Sequence, residues 1–244
     1  MKAILRFKKK LLPIYSVIVI IIVIFLLSYN FKPSYIKQFF NSITATSEIS
    51  HGDTSKKQVI FTFDGGSGAQ SGDKILATLA KHHVRGSFFL TGKFVEENPD
   101  LVKHMVAQGH EIFNHTYNHP HLPTLKDNDI VEELEKMEKS LMTVAGISPK
   151  PYFRAPYGDR NSRVLDIAAK AGYRSVYWMT DALDWQESSG KTANQVGKLI
   201  LSHIAPGAIY LMHLGDSITG NILDDVFTKI EARGYTPVSL IQGL

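Results

Sequence analysis

The sequence predicts an α/β protein, a distorted (β/α)7-type barrel preceded by an N-terminal transmembrane helix. Two observations carry this prediction. From residue 58 onward, short apolar stretches alternate with helical patterns, which is typical of parallel β/α units. Near the N-terminus, residues 11–28 are largely apolar. A doubly wound open sheet is the alternative fold, because hydrophobic periodicity does not distinguish a closed parallel sheet from an open one.

The N-terminal residues predict a single membrane anchor. Residues 1–10 carry five Lys or Arg side chains and no acidic one. Because basic flanks stay inside, we expect residues 1–10 to be a cytoplasmic tail and residues 11–28 to cross the cell membrane once. A cleaved signal peptide is the competing interpretation, but residues 28–32 lack a small-x-small cleavage pattern. Everything after the anchor is then extracytoplasmic.

Residues 29–57 are polar, rich in Ser and Thr, and without a sustained period, so they predict an extracytoplasmic linker. Residues 58–244 form the predicted folded domain. The chain has no cysteine, which excludes disulfides, thiolate metal sites and cysteine nucleophiles. Five of its 27 basic residues lie in the first ten, and the others nearly balance the 23 acidic residues. We therefore expect no nucleic-acid partner.

The predicted strands are short stretches in which apolar and aromatic residues predominate. In chain order the strands are Val59–Phe63, Gly86–Leu90, Glu111–Asn114, Pro151–Phe153, Tyr173–Met179, Ala208–Met212 and Tyr235–Val238. The predicted helices between them are Asp73–His82, Pro99–Gln108, Asp127–Ala145, Ser162–Ala171, Thr192–Ile204 and Ile222–Arg233. Glycines at positions 109, 146, 172 and 234 follow four of these helices, as C-caps often do.

Reactive side chains follow the predicted strands at the points where the strands end. In chain order they are Asp64, His115, His119, Arg154, Asp181, Asp184 and His213. In a β/α barrel the carboxyl ends of the strands open on one face, where catalytic residues gather. The sequence therefore predicts that these residues, although scattered along the chain, converge on one pocket.

Each of these residues also has a plain structural interpretation. His115 and His119, four residues apart, can clamp one transition metal, but such a pair alone is equally consistent with two solvated loop histidines. Asp64 and Arg154 are a plausible ion pair, since a buried arginine almost requires a carboxylate. An imidazole beside a carboxylate would be held protonated for acid catalysis, although a lone strand-end histidine is more often structural.

The histidine in question is His213, and the carboxylate beside it would be Asp184. Trp185 follows Asp184 directly. Its indole is either part of the core or a wall for a sugar ring at the mouth of a polar pocket.

Five motifs in order resemble the polysaccharide deacetylases with a NodB-homology domain, carbohydrate esterase family 4, from residue 58 to the C-terminus. They are TFDGG at 62–66, HTYNH at 115–119, RAPYG at 154–158, DALDW at 181–185 and LMH at 211–213. The resemblance implies a distorted barrel with fewer than eight repeats. It also implies one bound divalent transition metal, zinc first, with cobalt, manganese or nickel as alternatives.

By this resemblance, Asp64 is the general base that activates water, and His115 and His119 are the metal ligands. Arg154 holds Asp64, and the backbone amide of Tyr157 helps to stabilise the oxyanion. His213 protonates the leaving amine and is tuned by Asp184. The remaining two residues, Trp185 and Leu211, shape the sugar and acetyl pockets.

One position departs from the family pattern. The family's first motif is Thr-Phe-Asp-Asp-Gly, whose second aspartate binds the metal, and here that position is Gly65. A catalytic zinc usually has three protein ligands and a water, so two histidines fall short. An extra water, His121 from the same loop, or Asp64 itself could complete the shell, and we favour the water.

The resemblance implies hydrolytic removal of acetyl groups from N-acetylglucosamine or N-acetylmuramic acid units of a cell-wall or surface polysaccharide, such as peptidoglycan or a chitin-like polymer. Two other interpretations stay open. Gly65 is consistent with a catalytically impaired protein that still binds wall glycan. Alternatively the enzyme acts on a membrane-linked glycan or an esterified sugar, since the same water activation serves both bonds.

Overall fold

The structure, a computed structural model, describes residues 48–244. In this part of the chain, parallel strands form the centre and helices pack around them. The predicted cytoplasmic tail at 1–10, the membrane segment at 11–28 and residues 29–47 of the predicted linker lie outside the described residues. Among the helices within residues 48–244, none has the length and apolar character needed to cross a membrane.

The strands of the described region are β1 (Gln58–Gly65), β2 (Ser87–Leu90), β3 (Glu111–Asn114), β4 (Tyr152–Phe153), β5 (Arg174–Ser175), β6 (Thr180–Asp181), β7 (Ala208–His213) and β8 (Thr236–Val238). Its α-helices are α1 (Gly72–Lys81), α2 (Gly92–Glu97), α3 (Pro99–Ala107), α4 (Asp127–Ala145), α5 (Ser162–Lys170), α6 (Ala193–Ser202), α7 (Ile218–Ala232) and α8 (Leu240–Gly243). Short 3-10 helices cover Leu122–Thr124, Pro156–Gly158 and Asp184–Ser189.

The strands form one parallel sheet in the order β5-β4-β3-β2-β1-β7-β6, and β8 pairs with the start of β1. β1 is central and is buried on both faces, as parallel strands usually are. Val59, Phe61 and Phe63 pack in the cluster beneath the helices, whereas Ile60 packs in a second cluster inside the curved sheet. The α/β fold with a parallel, barrel-like sheet is confirmed.

The strand predicted at Tyr173–Met179 was wrong as a single element. It consists of β5 and β6, which lie at opposite ends of the hydrogen-bonded path. Between them the backbone bonds elsewhere: the amide of Tyr177 donates to the carbonyl of Ile49, and that of Met179 to the carbonyl of Ile209. The described sheet therefore has eight strands where seven were predicted.

Most predicted helices are present within two residues at each end, and the larger differences have local causes. α7 begins at Ile218, four residues before the predicted start, because Asp216 accepts a hydrogen bond from the amide of Thr219 and holds an additional first turn. The short helix α2 was not predicted. The side chain of Thr91 caps this helix by accepting a hydrogen bond from the amide of Phe94. The helix has only six residues, which is too short for a clear helical pattern in the sequence.

The folded part of the chain begins earlier than the predicted boundary at residue 58. Ile49 is buried and pairs with Val176 next to β5. The amide of Gly52 donates to the carbonyl of Gly207, and that of Asp53 to the carbonyl of Gly243. The linker prediction for residues 29–57 is therefore wrong for residues 48–57, whose polar side chains mask a backbone that is bonded to the domain.

Candidate active site

A pocket of about 570 Å³ opens at the carboxyl ends of the central strands. The strand register accounts for this convergence, because Asp64 at the end of β1 lies directly beside His213 at the end of β7. Seven of the nine predicted site residues line the pocket, namely Asp64, His115, His119, Tyr157, Trp185, Leu211 and His213. The other two, Arg154 and Asp184, are buried behind it and bond to residues that line it.

Asp64 and Arg154 form the predicted ion pair. Nη1 of Arg154 donates to Oδ1 of Asp64 over 2.6 Å, and both side chains are buried. Nε of Arg154 donates to the carbonyl oxygen of Val176 over 3.3 Å, and the guanidinium lies 4.1 Å from the centre of the Phe89 ring. The charge of the arginine is thus compensated where it is buried, and Asp64 keeps its second oxygen free towards the pocket.

His115 and His119 form the second group in the pocket. Their Nε2 atoms are 3.1 Å apart, and Nε2 of His115 is 3.5 Å from Oδ2 of Asp64. Nδ1 of His115 lies 2.9 Å from the carbonyl oxygen of Arg154. A carbonyl accepts only, so this contact places the proton on Nδ1 and leaves the lone pair on Nε2.

Burial keeps both of these imidazoles neutral. Desolvation lowers the pKa of His115, and desolvation together with the neighbouring His115 lowers the pKa of His119 to about 4. A metal ligand must be a neutral imidazole, so this environment suits the predicted role. Two solvated loop histidines, the plain alternative, would not be buried in this way.

The loop that carries the two histidines is held in an unusual backbone conformation. Thr116 and His119 have positive φ angles of 65° and 63°. The side chain of Asn114 accepts from the amide of Thr116, and the hydroxyl of Thr116 accepts from the amide of His119. Strained backbone of this kind persists only where surrounding contacts fix it, and it is concentrated at functional sites.

The donor set fits a transition metal held by two imidazoles. The Nε2 atoms of two neutral rings lie 3.1 Å apart, and the carbonyl of Arg154 orients the ring of His115, as expected for a metal site. Within residues 48–244 there is no group of three His, Cys, Asp or Glu side chains arranged to hold a metal. His115 and His119 are the two groups here that would hold a metal.

The departure at Gly65 has a structural explanation. A Cβ atom at this position would lie 2.7 Å from Cδ2 of Leu90, 2.9 Å from Cδ1 of Leu214 and 3.3 Å from Cδ2 of Phe94. These apolar side chains fill the space that a larger residue would need. A third ligand from position 65 thus requires the ends of two leucines to move.

His213 and Asp184 form the third group. Asp184 is fully buried, and its carboxylate accepts from Nδ1 of His213 over 2.8 Å and from the backbone amide of His213 over 2.7 Å. Burial alone would lower the pKa of His213, but the hydrogen bond and charge of Asp184 outweigh it and raise this pKa to about 9. The imidazole is therefore a cation at neutral pH.

Two residues behind this pair were not predicted from the sequence. The hydroxyl of Thr219 donates to Oδ2 of Asp184, so it helps to fix the carboxylate. Asp216 is buried nearby, and desolvation followed by the charge of Asp184 raises its pKa to about 7. Both lie at the start of α7, and no strand-end pattern pointed to them.

The rim of the pocket is aromatic. Tyr157 and Trp185 are more than half exposed, at 61% and 52%. Trp178 and Asp181 also line the pocket. Asp181 is one of the strand-end residues that the sequence predicts to converge here, although without an assigned role, and it accepts from Nε1 of Trp185 over 3.3 Å. Trp178 was not predicted. Exposed aromatic faces beside a polar pocket are suited to stacking against sugar rings.

His121, one of the three candidate groups for the metal shell, is held elsewhere. Its ring stacks on Tyr157 with centroids 4.1 Å apart, and its Nδ1 lies 2.9 Å from Oδ2 of Asp159. Tyr157 has a φ angle of 59°, so the backbone of this rim is also left-handed. These contacts hold the ring of His121 against the rim residue Tyr157 and beside Asp159.

Comparisons with known proteins identify the family of this chain. Residues 51–176 match the polysaccharide deacetylase family. The chain is 35% identical over 185 residues to the peptidoglycan-N-acetylmuramic acid deacetylase PdaA of Bacillus subtilis, covering 76% of this chain and 70% of that protein. The solved structure of that protein, described as a family 4 carbohydrate esterase, superposes with a TM-score of 0.78 at 32% identity, covering 84% and 88% of the two chains.

A second similar structure is a wild-type CE4 family pseudoenzyme from Bacillus anthracis, with a TM-score of 0.76, 30% identity, and coverage of 81% of this chain and 69% of that one. A mutant of the same pseudoenzyme, described as having restored enzymatic activity, matches equally well. The fold is thus shared by active and inactive relatives. By its family match and its relatives, the chain is a member of the polysaccharide deacetylase family, a group of hydrolases.

Proposed function

We propose that the protein is a metal-dependent hydrolase that removes acetyl groups from N-acetylated sugars of a cell-wall polysaccharide and releases acetate. Peptidoglycan is the first candidate, through its N-acetylglucosamine or N-acetylmuramic acid units, and a chitin-like polymer is the second. One observation carries the proposal. Three chemically different groups face the same pocket: a carboxylate paired with a buried arginine, two neutral imidazoles and one protonated imidazole.

In this proposal Asp64 accepts the proton of a water molecule as the water oxygen bonds to the acetyl carbon. Arg154 keeps the carboxylate oriented through its 2.6 Å hydrogen bond and leaves the other oxygen for the water. A bound divalent transition metal, zinc first and otherwise cobalt, manganese or nickel, would polarise the acetamide carbonyl. His115 and His119 would hold it.

The carbon–nitrogen bond then breaks and the nitrogen takes a proton from His213. Asp184 keeps that imidazole charged and fixes its orientation through Nδ1. The backbone amide of Tyr157 would stabilise the negative oxygen of the tetrahedral intermediate. Trp185 and Leu211 would bind the sugar ring and the acetyl methyl group, because they form the aromatic and apolar walls of the pocket.

The alternative is a catalytically impaired wall-binding protein, favoured by Gly65 and by the likeness to an inactive relative. Against it stand the buried polar groups of the site. Asp64, Arg154 and Asp184 are all buried, and burying such groups costs free energy unless they are paired. A protein that only binds glycan has no physical need for this set.

The proposed location follows from the N-terminal sequence. A basic tail at 1–10 and an apolar run at 11–28 support a single-pass membrane protein with residues 48–244 outside the cell. Protease added to intact cells would test this. Digestion of the catalytic region supports the proposal, and protection until the cells are opened contradicts it.

Acetate release by the purified full-length chain in detergent tests the activity. The substrates are peptidoglycan and chitooligosaccharides, each with and without added zinc, cobalt, manganese or nickel. We expect acetate only with metal, and its loss in Asp64→Asn, which keeps the shape of the side chain but not its basicity. Binding of the same glycans by a folded wild-type chain that releases no acetate with any of these metals would establish the wall-binding alternative.

A further inference from the structure

The first three described residues, 48–50, which we call the N-terminal strap, lie beside the break in the sheet between β5 and β6. The amide of Ile49 donates to the carbonyl of Ser175, and the carbonyl of Ile49 accepts from the amide of Tyr177. Ile49 is buried in the inner core cluster. The strap thus adds one parallel backbone pairing at the point where β5 ends.

The backbone pairing of the strap leads to the Asp64–Arg154 pair through one residue. Ile49 is paired with Val176, and the carbonyl of Val176 accepts from Nε of Arg154. The next residue but one, Trp178, lies over the same guanidinium at 5.6 Å and lines the pocket. A shift of the strap would therefore move the carbonyl that orients Arg154.

The side chain of Glu48 leads to the pocket rim. Nε and Nη2 of Arg160 donate to its two carboxylate oxygens over 2.8 and 2.6 Å, a bidentate pair that is about one-fifth exposed. Nη1 of Arg160 donates to the carbonyl of Gly158, next to Tyr157. The same guanidinium lies 3.6 Å from the ring centre of Tyr177.

Gly158 also shows how tightly this rim is packed. A Cβ atom there would lie 2.7 Å from the Trp178 ring and 2.9 Å from the Tyr177 ring, and Gly158 itself has a φ of 65°. The rings of Tyr177 and Trp178 stack with centroids 4.0 Å apart. The rim, the stacked rings and Arg160 therefore form one contact network, and Glu48 is its anchor on the strap.

We propose that the N-terminal strap positions the active site, with Glu48 acting through Arg160 on the Tyr157 rim and Ile49 acting through Val176 on Arg154. This inference rests on the proposed deacetylase function for its catalytic consequence. Glu48 and Ile49 do not line the reaction pocket. They are positioning residues, and removing their contacts lowers turnover without removing any catalytic group.

The test is Glu48→Gln in the full-length chain, which keeps the size of the side chain but breaks the bidentate pair. A matched control is Asp127→Asn, because Nη1 of Arg163 donates to Asp127 over the same 2.6 Å and Arg163 also bonds to backbone carbonyls, away from the pocket. We expect kcat to fall about tenfold in Glu48→Gln, with a smaller change in KM, and to stay within about twofold in Asp127→Asn.

A second readout needs no turnover. The chain has two tryptophans, so in a Trp185→Phe background Trp178 is the remaining one. We expect Glu48→Gln, and not Asp127→Asn, to shift its fluorescence emission, because Tyr177 loses the guanidinium that holds it against Trp178. An inactive wild-type chain contradicts the proposed function, and the emission shift then decides the inference. Unchanged emission and unchanged kcat in Glu48→Gln, with a melting temperature lowered as in Asp127→Asn, would overturn it.

Discussion

The two histidine groups of the pocket experience opposite environments although they lie within one site. His115 and His119 face each other and are neutral, with the pKa of His119 lowered to about 4. His213 contacts the buried carboxylate of Asp184, and its pKa is raised to about 9. The same type of side chain, an imidazole, can therefore serve as a metal ligand on one side of the pocket and as a general acid on the other. The difference arises from the partner, since all three imidazoles are at least partly buried.

The largest expected effect comes from breaking the charged side of this comparison. Asp184→Asn removes the charge that keeps His213 protonated while preserving the shape of the side chain. We expect the pKa of His213 to fall well below 9 and kcat at neutral pH to fall about 10² to 10⁴-fold, the range of general acid catalysis. Nuclear magnetic resonance of the labelled imidazole gives the pKa, and acetate release gives kcat. An unchanged pKa would show that Asp184 does not control this proton.

Disrupting the pair of neutral histidines, His115 and His119, should affect metal binding. His119→Ala removes one of the two neighbouring Nε2 atoms, so we expect metal affinity and activity each to fall by about tenfold to a hundredfold. His121→Ala is the matched control, since that ring belongs to the rim and is bonded to Asp159. Isothermal titration with zinc compares the two variants. Equal losses in both would place His121 in the metal shell.

A substitution at position 65 sharpens the question of the missing ligand. Because a Cβ atom there meets Leu90 and Leu214, we expect Gly65→Ala to lower the free energy of unfolding by about 1–3 kcal/mol. Gly65→Asp should cost more without metal, since it also buries a carboxylate. If its carboxylate reaches the histidine pair, zinc should raise the melting temperature of Gly65→Asp more than that of wild type. Denaturant unfolding measures the loss of stability in both variants, and thermal unfolding with and without zinc measures the shift in melting temperature. Equal zinc shifts in Gly65→Asp and wild type would mean that the leucines keep the carboxylate away from the histidine pair.

The smallest expected effect is in the pH dependence of stability. His213 has a raised pKa in the folded chain, so its contribution is fully present below its ordinary value of 6.5 and is lost as the pH rises towards about 9. His119 has a lowered pKa, so stability falls as the pH drops from 6.5 towards 4. Denaturant unfolding of the metal-free chain measures both slopes. We expect His213→Gln to flatten only the alkaline slope, and a flattened acidic slope in that variant would contradict the assignment.

The sequence was sufficient for the fold class and the convergence of the site because both depend on where strands end. Asp64, His115 and His213 each follow an apolar run, and a parallel sheet aligns those ends on one edge. The sequence was insufficient where a segment is held by backbone hydrogen bonds and its side chains show no regular pattern. Ile49 stands in a polar stretch, and its pairing with Val176 has no periodic signal.

The break between β5 and β6 was hidden for a related reason. Residues 173–179 are mostly apolar or aromatic, apart from Arg174 and Ser175, and this pattern predicts one strand. In the structure, Tyr177 and Trp178 leave the sheet and stack on each other beside the pocket. Thr219 and Asp216 were missed because they act from the start of a helix and not from a strand end. Local patterns do not record such long-range contacts.

The Glu48–Arg160 pair has a mechanical consequence. Glu48 is the first described residue, and its carboxylate is bonded to the arginine that also holds the carbonyl of Gly158. A force pulling on the chain ahead of Glu48 would therefore load the pocket rim before it reached the central strand β1. Under tension the first contacts to yield would include those that shape the reaction pocket, so activity should be lost at forces that leave the central strand β1 paired.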